Sequence, residues 1–261
     1  MDISEWALRA QVAWFRGLAA GGFPQVSAGD AFAVSTGMDS NTENGAVIAP
    51  SVLDNPRELD ALLTWLREKA VSASVLVTGP LEPEAAARLI GRGLEPEKTG
   101  NNMGRLLAGF DPHAAGPPAP RWQISEVTDA QALRQHHRVF ADDGWWDEYG
   151  ELDRRVEIAA RLGFGPGRPI RHWTACHQGV SIGAATSFQF DDAVQLVHCC
   201  VAARWRRQGI GTALTRARLA AAARQGAVQA VLFPSPDGYH LHHSLGFGLA
   251  PVHPHRWFYL R

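Results

Sequence analysis

Residues 197–227 read VHCCVAARWRRQGIGTALTRARLAAAARQGA, and this stretch decides how the fold is interpreted. Its first residues complete an apolar strand predicted over Ala193–Val201, and its later residues form a helix predicted from about Gly211 to Gln225. At the junction, Gly209 and Gly211 let successive backbone N–H groups point inward, where the helix N-terminus adds about half a positive charge. The junction is suited to bind a diphosphate, although two glycines at this spacing also fit a simple tight turn.

The residues around this stretch alternate between strand and helix patterns. Helices are predicted at Asp129–Phe140, Leu152–Leu162 and Tyr239–Leu245, and strands at Trp122–Val127, Arg171–His177, Val180–Phe190 and Ala227–Phe233, with closing strand material up to Arg261. Gln178 and Gly179 predict a hairpin turn between two of the strands. This order predicts the α/β (α+β) class, with a mixed, mostly antiparallel sheet, flanking helices and one crossover connection.

A proline-rich segment divides the chain. Asp111–Pro120 contains four prolines and no large apolar residue, so it can neither continue a helix nor pair as a central strand. We therefore predict a linker at 111–120, between a domain at 1–110 and a domain at 121–261. Ten of the eleven histidines and all three cysteines follow residue 120, so we expect the chemistry in the second domain.

The first domain repeats the later part of this order more weakly. Strands are predicted at Phe32–Thr36, Gly45–Ala49, Ser74–Thr78 and Met103–Leu107, and helices at Arg57–Ala70 and Glu82–Leu89. We interpret this half of the chain as a second copy of the same type of domain.

Composition limits the possible partners. The chain has 25 Lys and Arg against 26 Asp and Glu, a formal net charge of -1, so nothing draws it to nucleic acid or to an anionic membrane. No stretch approaches the roughly 18 apolar residues of a membrane helix, and Asp2 and Glu5 do not fit a signal peptide. Three cysteines are too few for a disulfide scaffold. We expect a cytoplasmic protein with a small-molecule partner and no metal site, and its oligomeric state stays open.

Two motifs resemble the Gcn5-related N-acetyltransferase (GNAT) superfamily. The acetyl-CoA loop of that family has the pattern Q/R-x-x-G-x-G/A between its fourth strand and third helix, and Arg206, Gly209 and Gly211 fill the three fixed places. LHHSLGF at Leu241–Phe247 resembles the family's L-Y-x-x-L-G-F on the last short helix. The resemblance covers residues 121–261 and implies a tandem arrangement, with a GNAT-like first domain and a catalytic second domain.

The resemblance implies how acetyl-CoA would bind. The cofactor would lie in a V-shaped gap between the strands at Ala193–Val201 and Ala227–Phe233, and the Val201 N–H would polarise the thioester carbonyl. The pantetheine arm would pair with backbone from Cys199 through Val201 to Ala203. The diphosphate would be held by the backbone N–H groups of Arg206, Arg207, Gln208, Gly209, Ile210, Gly211 and Thr212, with the Thr212 hydroxyl also in reach.

The resemblance also implies candidate catalytic residues. His242 takes the place of the family's tyrosine, its usual general acid; a charged imidazole can donate a proton, although His242 also fits a packing role. On the strand, Gln195 stands where family members often place a base, and an amide cannot accept the proton. His198 is the titratable alternative, but strict alternation puts it on the other face of the strand unless a bulge intervenes. A structural role for His198, with water as proton acceptor, therefore stays open.

A loop rich in carboxylates is the candidate acceptor site. Phe140–Asp153 carries six carboxylates, and we expect Trp145, Trp146, Asp147 and Glu148, together with Gln195, to contact a cationic amine. A solvated acidic linker is the alternative. Arginines on the predicted third helix, Arg216, Arg218 and Arg224, are expected to face solvent or the 3′-phosphate of the cofactor.

These features predict an acetyl-CoA-dependent N-acetyltransferase. Its acceptor would be a small, cationic primary amine, such as an antibiotic, an amino-acid derivative or a polyamine. The alternatives are a protein or peptide acceptor and a non-catalytic acyl-CoA-binding module. The first domain is expected to be degenerate, because PSVLDNP at residues 50–56 stands where its loop would fall and contains no glycine.

Overall fold

The computed structural model describes residues 2–69, 72–97, 101–111, 121–145, 149–251 and 256–260. Most of the predicted linker, residues 112–120, lies outside them. The predicted acceptor residues Trp146, Asp147 and Glu148 also lie outside the described residues. Among the described residues, no helix combines the length and the apolar character needed to cross a membrane.

Helices and strands alternate along the chain much as the sequence predicts. The helices are α1 (Ile3–Ala20), α2 (Pro50–Leu53), α3 (Pro56–Lys69), α4 (Pro83–Ile90), α5 (Ala130–Asp142), α6 (Tyr149–Leu162), α7 (Ile210–Arg224) and α8 (Tyr239–Ser244). The strands are β1 (Gln25–Ala28), β2 (Ala31–Ser35), β3 (Asn44–Ile48), β4 (Ala73–Val77), β5 (Glu95–Pro96), β6 (Asn101–Leu106), β7 (Gln123–Glu126), β8 (Ile170–His177), β9 (Val180–Phe190), β10 (Ala193–Val201), β11 (Gln229–Leu232), β12 (Gly248–Pro251) and β13 (Trp257–Leu260). The predicted bounds of β9 and β10 are confirmed to the residue.

The chain forms two compact units. One consists of Met1–Asn101 together with Pro251–Arg261, and the other of Asn102–Ala250. The predicted division at the proline-rich segment differs from these units for two strands. It assigns β6 to the first domain, whereas nearly all of β6 belongs to the second unit, and it assigns β13 to the second domain, whereas β13 belongs to the first unit. Strand pairing explains the difference, because β6 pairs with β11 and β13 pairs with β4.

The first unit is built on a sheet with the strand order β1-β2-β3-β4-β13-β5. β3 and β4 are parallel, and the other pairs are antiparallel. The buried residues of α3 recur at helical spacing and form one apolar face in the core of this unit: Leu59, Leu62, Leu63 and Leu66.

The second unit has a sheet with the order β12-β6-β11-β10-β9-β8-β7. Only β10 and β11 are paired in parallel among the pairs with a described register. Helices cover both faces, because Ala184 of β9 packs in a cluster with α5, whereas its neighbour Ala185 packs in a cluster with α7. The predicted hairpin turn is confirmed: Gln178 and Gly179 have φ angles of 50° and 79°, and both signs suit the tight turn between β8 and β9.

Both sheets follow one strand order around their parallel pair. When β1 is matched with β8, two antiparallel strands precede the parallel pair in each unit: β1 and β2 lead to β3, and β8 and β9 lead to β10. In the first unit, helix α3 leads to β4, the parallel partner of β3, and the next strand in the sheet is β13. In the second unit, helix α7 leads to β11, the parallel partner of β10, and the next strand is β6. The predicted α/β class, with mostly antiparallel sheets and an internal repeat, is confirmed.

Gly45 in β3 tests this packing. A Cβ at residue 45 would lie 2.2 Å from Cζ of Phe15 and 2.7 Å from the carbonyl oxygen of Ser74, so Gly45→Ala forces α1 or β4 to move. We expect it to lower the free energy of unfolding by about 1–3 kcal/mol in urea denaturation followed by circular dichroism. Gly17→Ala is the matched control: a Cβ there meets nothing within 4 Å, and the change should stabilise α1 by about 0.5–1 kcal/mol. Equal effects of both substitutions would contradict this packing.

Candidate functional site

The glycine loop, residues 206–212, connects β10 to α7 and presents backbone N–H groups. Arg207 and Gly209 both adopt left-handed conformations, with φ angles of 61° and 81°, and Gly209 is the N-cap of α7. The first helical bond from within α7 to this cap runs from the Ala213 N–H to the Gly209 carbonyl at 3.0 Å. The N–H groups of the first turn therefore have no partner inside the helix, which is the arrangement that binds an anion.

The backbone of β10 has an open edge beside this loop. β10 pairs with β11 only from Ala193 to Gln195, opposite Gln229–Val231. The Ala202 N–H donates to the Ile182 carbonyl at 3.0 Å, on the side of β9. Because successive residues of a strand direct their N–H groups to opposite edges, the Val201 N–H points away from β9, towards the open edge.

A β-bulge at His198 interrupts the alternation of β10. Val197 stands opposite Thr186, but Cys199 stands opposite the adjacent Ala185, so His198 is an inserted residue. The centre of the His198 ring lies 5.9 Å from that of Phe140 and 6.4 Å from that of Trp145. The bulge thus removes the objection from strict alternation, and His198 lies on the side of α5.

Arg218 occupies the position behind this bulge. Its side chain is buried, with 1% of its surface exposed, and its Nη1 donates to the carbonyls of Val197 at 2.9 Å and Thr186 at 3.0 Å. The expectation that Arg218 faces solvent or a phosphate is wrong. The helical spacing of Leu214, Arg218 and the buried Ala221 and Ala222 is the signal that sequence reasoning missed, since it places the guanidinium on the buried face of α7.

Four histidines approach one another between α5 and the sheet; we call His136, His137, His172 and His198 the histidine cluster. The rings of His136 and His172 are 4.6 Å apart, and those of His136 and His137 are 5.0 Å apart. The Thr186 hydroxyl lies 3.1 Å from Nε2 of His136 and 2.8 Å from Nδ1 of His172. One hydroxyl therefore links a helix residue to a strand residue of the cluster.

Burial keeps the cluster neutral at pH 7. It lowers the pKa of His172 to about 3, with a smaller contribution from His198. Burial, followed by the charges of Arg155 and Arg218, lowers the pKa of His198 to about 4. The pKa values of His136 and His137 are likewise well below the usual value, because both rings are buried.

His242 lies on α8, which packs near the glycine loop. Cδ1 of Leu241 lies 2.9 Å from the position of a Cβ on Gly211, so only glycine admits this contact without a shift. Nδ1 of His242 is buried and has no hydrogen-bond partner in the part of the chain that the structure describes. Burial, and secondarily Arg218, lowers the pKa of His242 to about 4. Its imidazole is therefore neutral at pH 7, and the charged form that the sequence interpretation invoked is scarce.

Arginines pair with several carboxylates of the loop predicted to receive the acceptor. Asp143 accepts hydrogen bonds from Arg206, and the Arg206 Nε also donates to the Val201 carbonyl at 3.0 Å. Two further carboxylates of this segment are paired, Glu151 with Arg155 at 2.8 Å and Asp153 with Arg134 at 2.6 Å. Much of the negative charge that the sequence assigned to this loop is therefore already neutralised.

The two other predicted acceptor residues, Trp145 and Gln195, differ from each other in exposure and in surroundings. Trp145 is 48% exposed, and its ring faces Phe140 at 5.5 Å as well as His198. Gln195 is 4% exposed and lies in the part of β10 that is paired on both sides. Trp145 is thus brought to the bulge at His198, whereas the side chain of Gln195 is buried in the sheet.

Comparisons with known proteins agree with this fold. Residues 131–247 match the model of the acetyltransferase (GNAT) family. A GCN5-related N-acetyltransferase from Kribbella flavida is 19% identical, with a TM-score of 0.66 over 99% of this chain and 95% of that chain. A tandem GNAT protein from the clavulanic acid biosynthesis pathway is 16% identical, with a TM-score of 0.58 over 98% of this chain and 93% of that chain. No curated protein has a significant match to the chain.

Acidification is expected to destabilise the second unit. Each cluster histidine has a folded pKa below its unfolded value of about 6.5, so the unfolded chain binds more protons below that pH. Stability should therefore fall as the pH falls from 7.5 to 5, by about 2 kcal/mol for each buried histidine that stays neutral. Urea denaturation at both pH values measures the difference.

Two variants separate the cluster from other acid effects. His172→Asn keeps a polar group for the Thr186 hydroxyl and removes one titrating ring, so the difference between pH 7.5 and pH 5 should shrink. His240→Asn, at an exposed position, should leave that difference unchanged. A wild-type chain that is equally stable at both pH values would contradict a neutral, buried cluster.

Proposed function

Residues 131–247 match the acetyltransferase (GNAT) family, and from this match we propose that the second unit transfers the acetyl group of acetyl-CoA to a small primary amine that carries positive charge. The observation that carries the proposal is the open edge of β10, which ends beside the glycine loop. A backbone edge and an anion-binding helix start together suit a ligand with an amide-bearing arm and a diphosphate.

The fit of acetyl-CoA rests on backbone groups for which the described residues provide no partner. The N–H groups at the start of α7, from Ile210 to Thr212, would hold the diphosphate, while the strand edge from Cys199 to Val201 would pair with the pantetheine arm. The Arg206 guanidinium bridges Asp143 and the Val201 carbonyl. Its backbone N–H, which the motif position assigns to the diphosphate, donates to the Ala203 carbonyl at 3.3 Å. When bound, acetyl-CoA would supply an acetyl group activated as a thioester.

The Val201 N–H would stabilise charge on the carbonyl oxygen of the thioester. As the amine attacks, a bond forms between its nitrogen and the acetyl carbon, the carbon–sulfur bond breaks, and the nitrogen loses one proton. With a pKa of about 4, His198 is a weak base; it would accept a hydrogen bond from the amine, and water would take the proton. The neutral ring of His242 would donate a hydrogen bond to the leaving sulfur.

The acceptor would lie against Trp145, Phe140 and His198. Aromatic faces stabilise a cation by about 0.5–2 kcal/mol, and the neutral histidines do not repel it. Asp142 is exposed at the end of α5 and would add attraction, whereas Asp143 is paired with Arg206. Trp146, Asp147 and Glu148 keep their predicted acceptor role.

A non-catalytic acyl-CoA-binding module is the second candidate. It is favoured by the low pKa values of His198 and His242, each about 4, because neither ring is then a strong acid or base at pH 7. The first unit fits a silent role better still. β3 and β4 stay paired up to Ile48 and Val77, and Pro50 begins the short helix that follows, so within the described residues β3 has neither an open edge beside β4 nor a glycine loop after it.

Gly209→Ala tests the glycine loop. An alanine at a φ angle of 81° is strained, and the N–H groups of the loop should turn away from the diphosphate. We expect at least about tenfold weaker binding of acetyl-CoA in calorimetry. Gly226→Ala is the matched control, because Gly226 at the other end of α7 has a φ angle of 87° and carries a similar strain away from the loop.

The wild-type protein is assayed for thiol release with acetyl-CoA and a panel of diamines, amino acids and peptides. Turnover with diamines supports the proposal, and turnover with peptides alone would transfer it to a protein acceptor. Binding without turnover on any amine would favour the silent module. No binding of acetyl-CoA at millimolar concentration would refute both.

His242→Ala tests the hydrogen bond to the leaving sulfur. We expect kcat to fall by about tenfold or more, while His242→Tyr restores the residue typical of the family and should retain most of the rate. Because a pKa of about 4 keeps the ring neutral between pH 6 and 9, removing it should leave the shape of the pH profile unchanged. A kcat within about twofold of wild type for His242→Ala would rule out this role.

A further inference from the structure

We propose that Arg218 is a positioning residue of the acyl-transfer site: its guanidinium fixes the bulge at His198 by binding the carbonyls of Val197 and Thr186, and so sets which backbone N–H of β10 reaches the open edge. The role in acyl transfer rests on the proposed function. The bulge and its bonds to Arg218 do not.

The hydrogen bonds of Arg218 span two strands and its own helix. Nη1 contacts the Val197 carbonyl at 2.9 Å, the Thr186 carbonyl at 3.0 Å and the His198 carbonyl at 3.5 Å. Nη2 donates to the Thr215 hydroxyl at 3.1 Å, and Nε approaches the Leu214 carbonyl at 3.4 Å. The guanidinium therefore fills the place where the ladder between β9 and β10 is interrupted.

The buried guanidinium supplies hydrogen-bond donors to carbonyls at the interrupted ladder. The inserted residue disrupts the ladder, and buried carbonyls without donors cost about 1–3 kcal/mol each. Within the described residues, Arg218 forms no ion pair with a carboxylate, so its burial is compensated by oxygen atoms of the bulge instead. An apolar residue would fill the volume and leave these carbonyls unsatisfied. Lysine would keep the charge, but its single ammonium lacks the planar fork.

The bulge decides the geometry of everything after it on β10. Val197 stands opposite Thr186 and Cys199 opposite Ala185, so odd-numbered residues change face at the insertion. The direction of the N–H groups changes with them. Without the insertion, the N–H of Val201 would no longer point to the open edge, where the proposed function needs it.

Arg218 also acts on two rings at once. Its charge contributes to the low pKa of His198 and to that of His242, in both cases after burial. Other groups face His198 as well: Arg155 of α6 lowers its pKa more than Arg218 does, and the other three histidines of the cluster couple to its charge. Removal of Arg218 should therefore raise both pKa values from about 4 towards the ordinary range without restoring it fully.

The test compares Arg218→Met, Arg218→Lys and Arg224→Met in the full chain. Histidine ring NMR titrations give the pKa values of His198 and His242, and thiol release with acetyl-CoA gives kcat and KM. For Arg218→Met we expect upward shifts of both pKa values and a loss of about 100-fold in kcat, since a small displacement of a reacting group costs that much. Arg218→Lys should keep the pKa values near those of wild type and recover part of kcat. Arg224 is exposed at the C-terminal end of α7, about 21 Å from the start of the helix. Its substitution should change neither the two pKa values nor kcat.

Each outcome decides the proposal. Unchanged pKa values and kcat in Arg218→Met would overturn it, as would a kcat of Arg218→Lys equal to that of wild type, because the fork would then be unnecessary. If Arg218→Met does not fold, Arg218→Lys decides: a tenfold or larger loss of kcat with an unaltered fold supports the proposal. If the wild-type protein shows no acetyl transfer, the proposed function fails. The ring titrations of Arg218→Met and Arg218→Lys then still show whether Arg218 determines the surroundings of the His198 ring.

Discussion

The second unit depends on one strand that changes partners along its length. β10 pairs with β9 throughout, but with β11 only from Ala193 to Gln195. Backbone N–H and carbonyl groups inside a domain need partners, so the separation of the two strands creates an edge that only a donor side chain, water or a ligand can satisfy. Arg206 satisfies the Val201 carbonyl at this edge. The Val201 N–H points to the same edge, and we propose that it donates to a bound molecule there.

The first unit shows that strand order alone does not create such an edge. Its parallel pair, β3 and β4, occupies the same place in the sheet, yet the register runs without interruption from Gly45 to Ile48. β3 has five residues against nine for β10, and a proline follows it at position 50 where the second unit has a glycine loop. The difference between the two units is therefore local. It lies in the length of one strand, one inserted residue and the conformation of the loop that follows.

Periodicity and turn chemistry made much of this structure predictable. β9 and β10 were predictable to the residue because their apolar runs are bounded by Gln178-Gly179 and Asp191-Asp192. The exchange of β6 and β13 between the sheets was not, because the choice of a strand partner depends on contacts distant in sequence. The bulge at His198 also escaped prediction, since an inserted residue leaves no mark in an apolar strand. Arg218 was misplaced because a charged residue on a helix usually marks the solvated face.

In the proposed reaction, the neutral state of the histidines would restrict how a proton leaves the amine. A primary ammonium titrates near 10, about six units above the pKa of His198, so direct transfer to this ring is uphill by about 8 kcal/mol. In the proposed reaction the attacking form would therefore be the small neutral fraction of the amine, which has already lost one proton to water, and the nitrogen would lose its second proton to water as the amide forms. In that case a ring that stays neutral is an advantage. In the proposed site, the neutral ring would accept a hydrogen bond from the nitrogen and orient its lone pair, whereas an imidazolium would repel the cationic acceptor as it enters. Burial beside Arg155 and Arg218 thus makes His198 a poor base and a suitable orienting group.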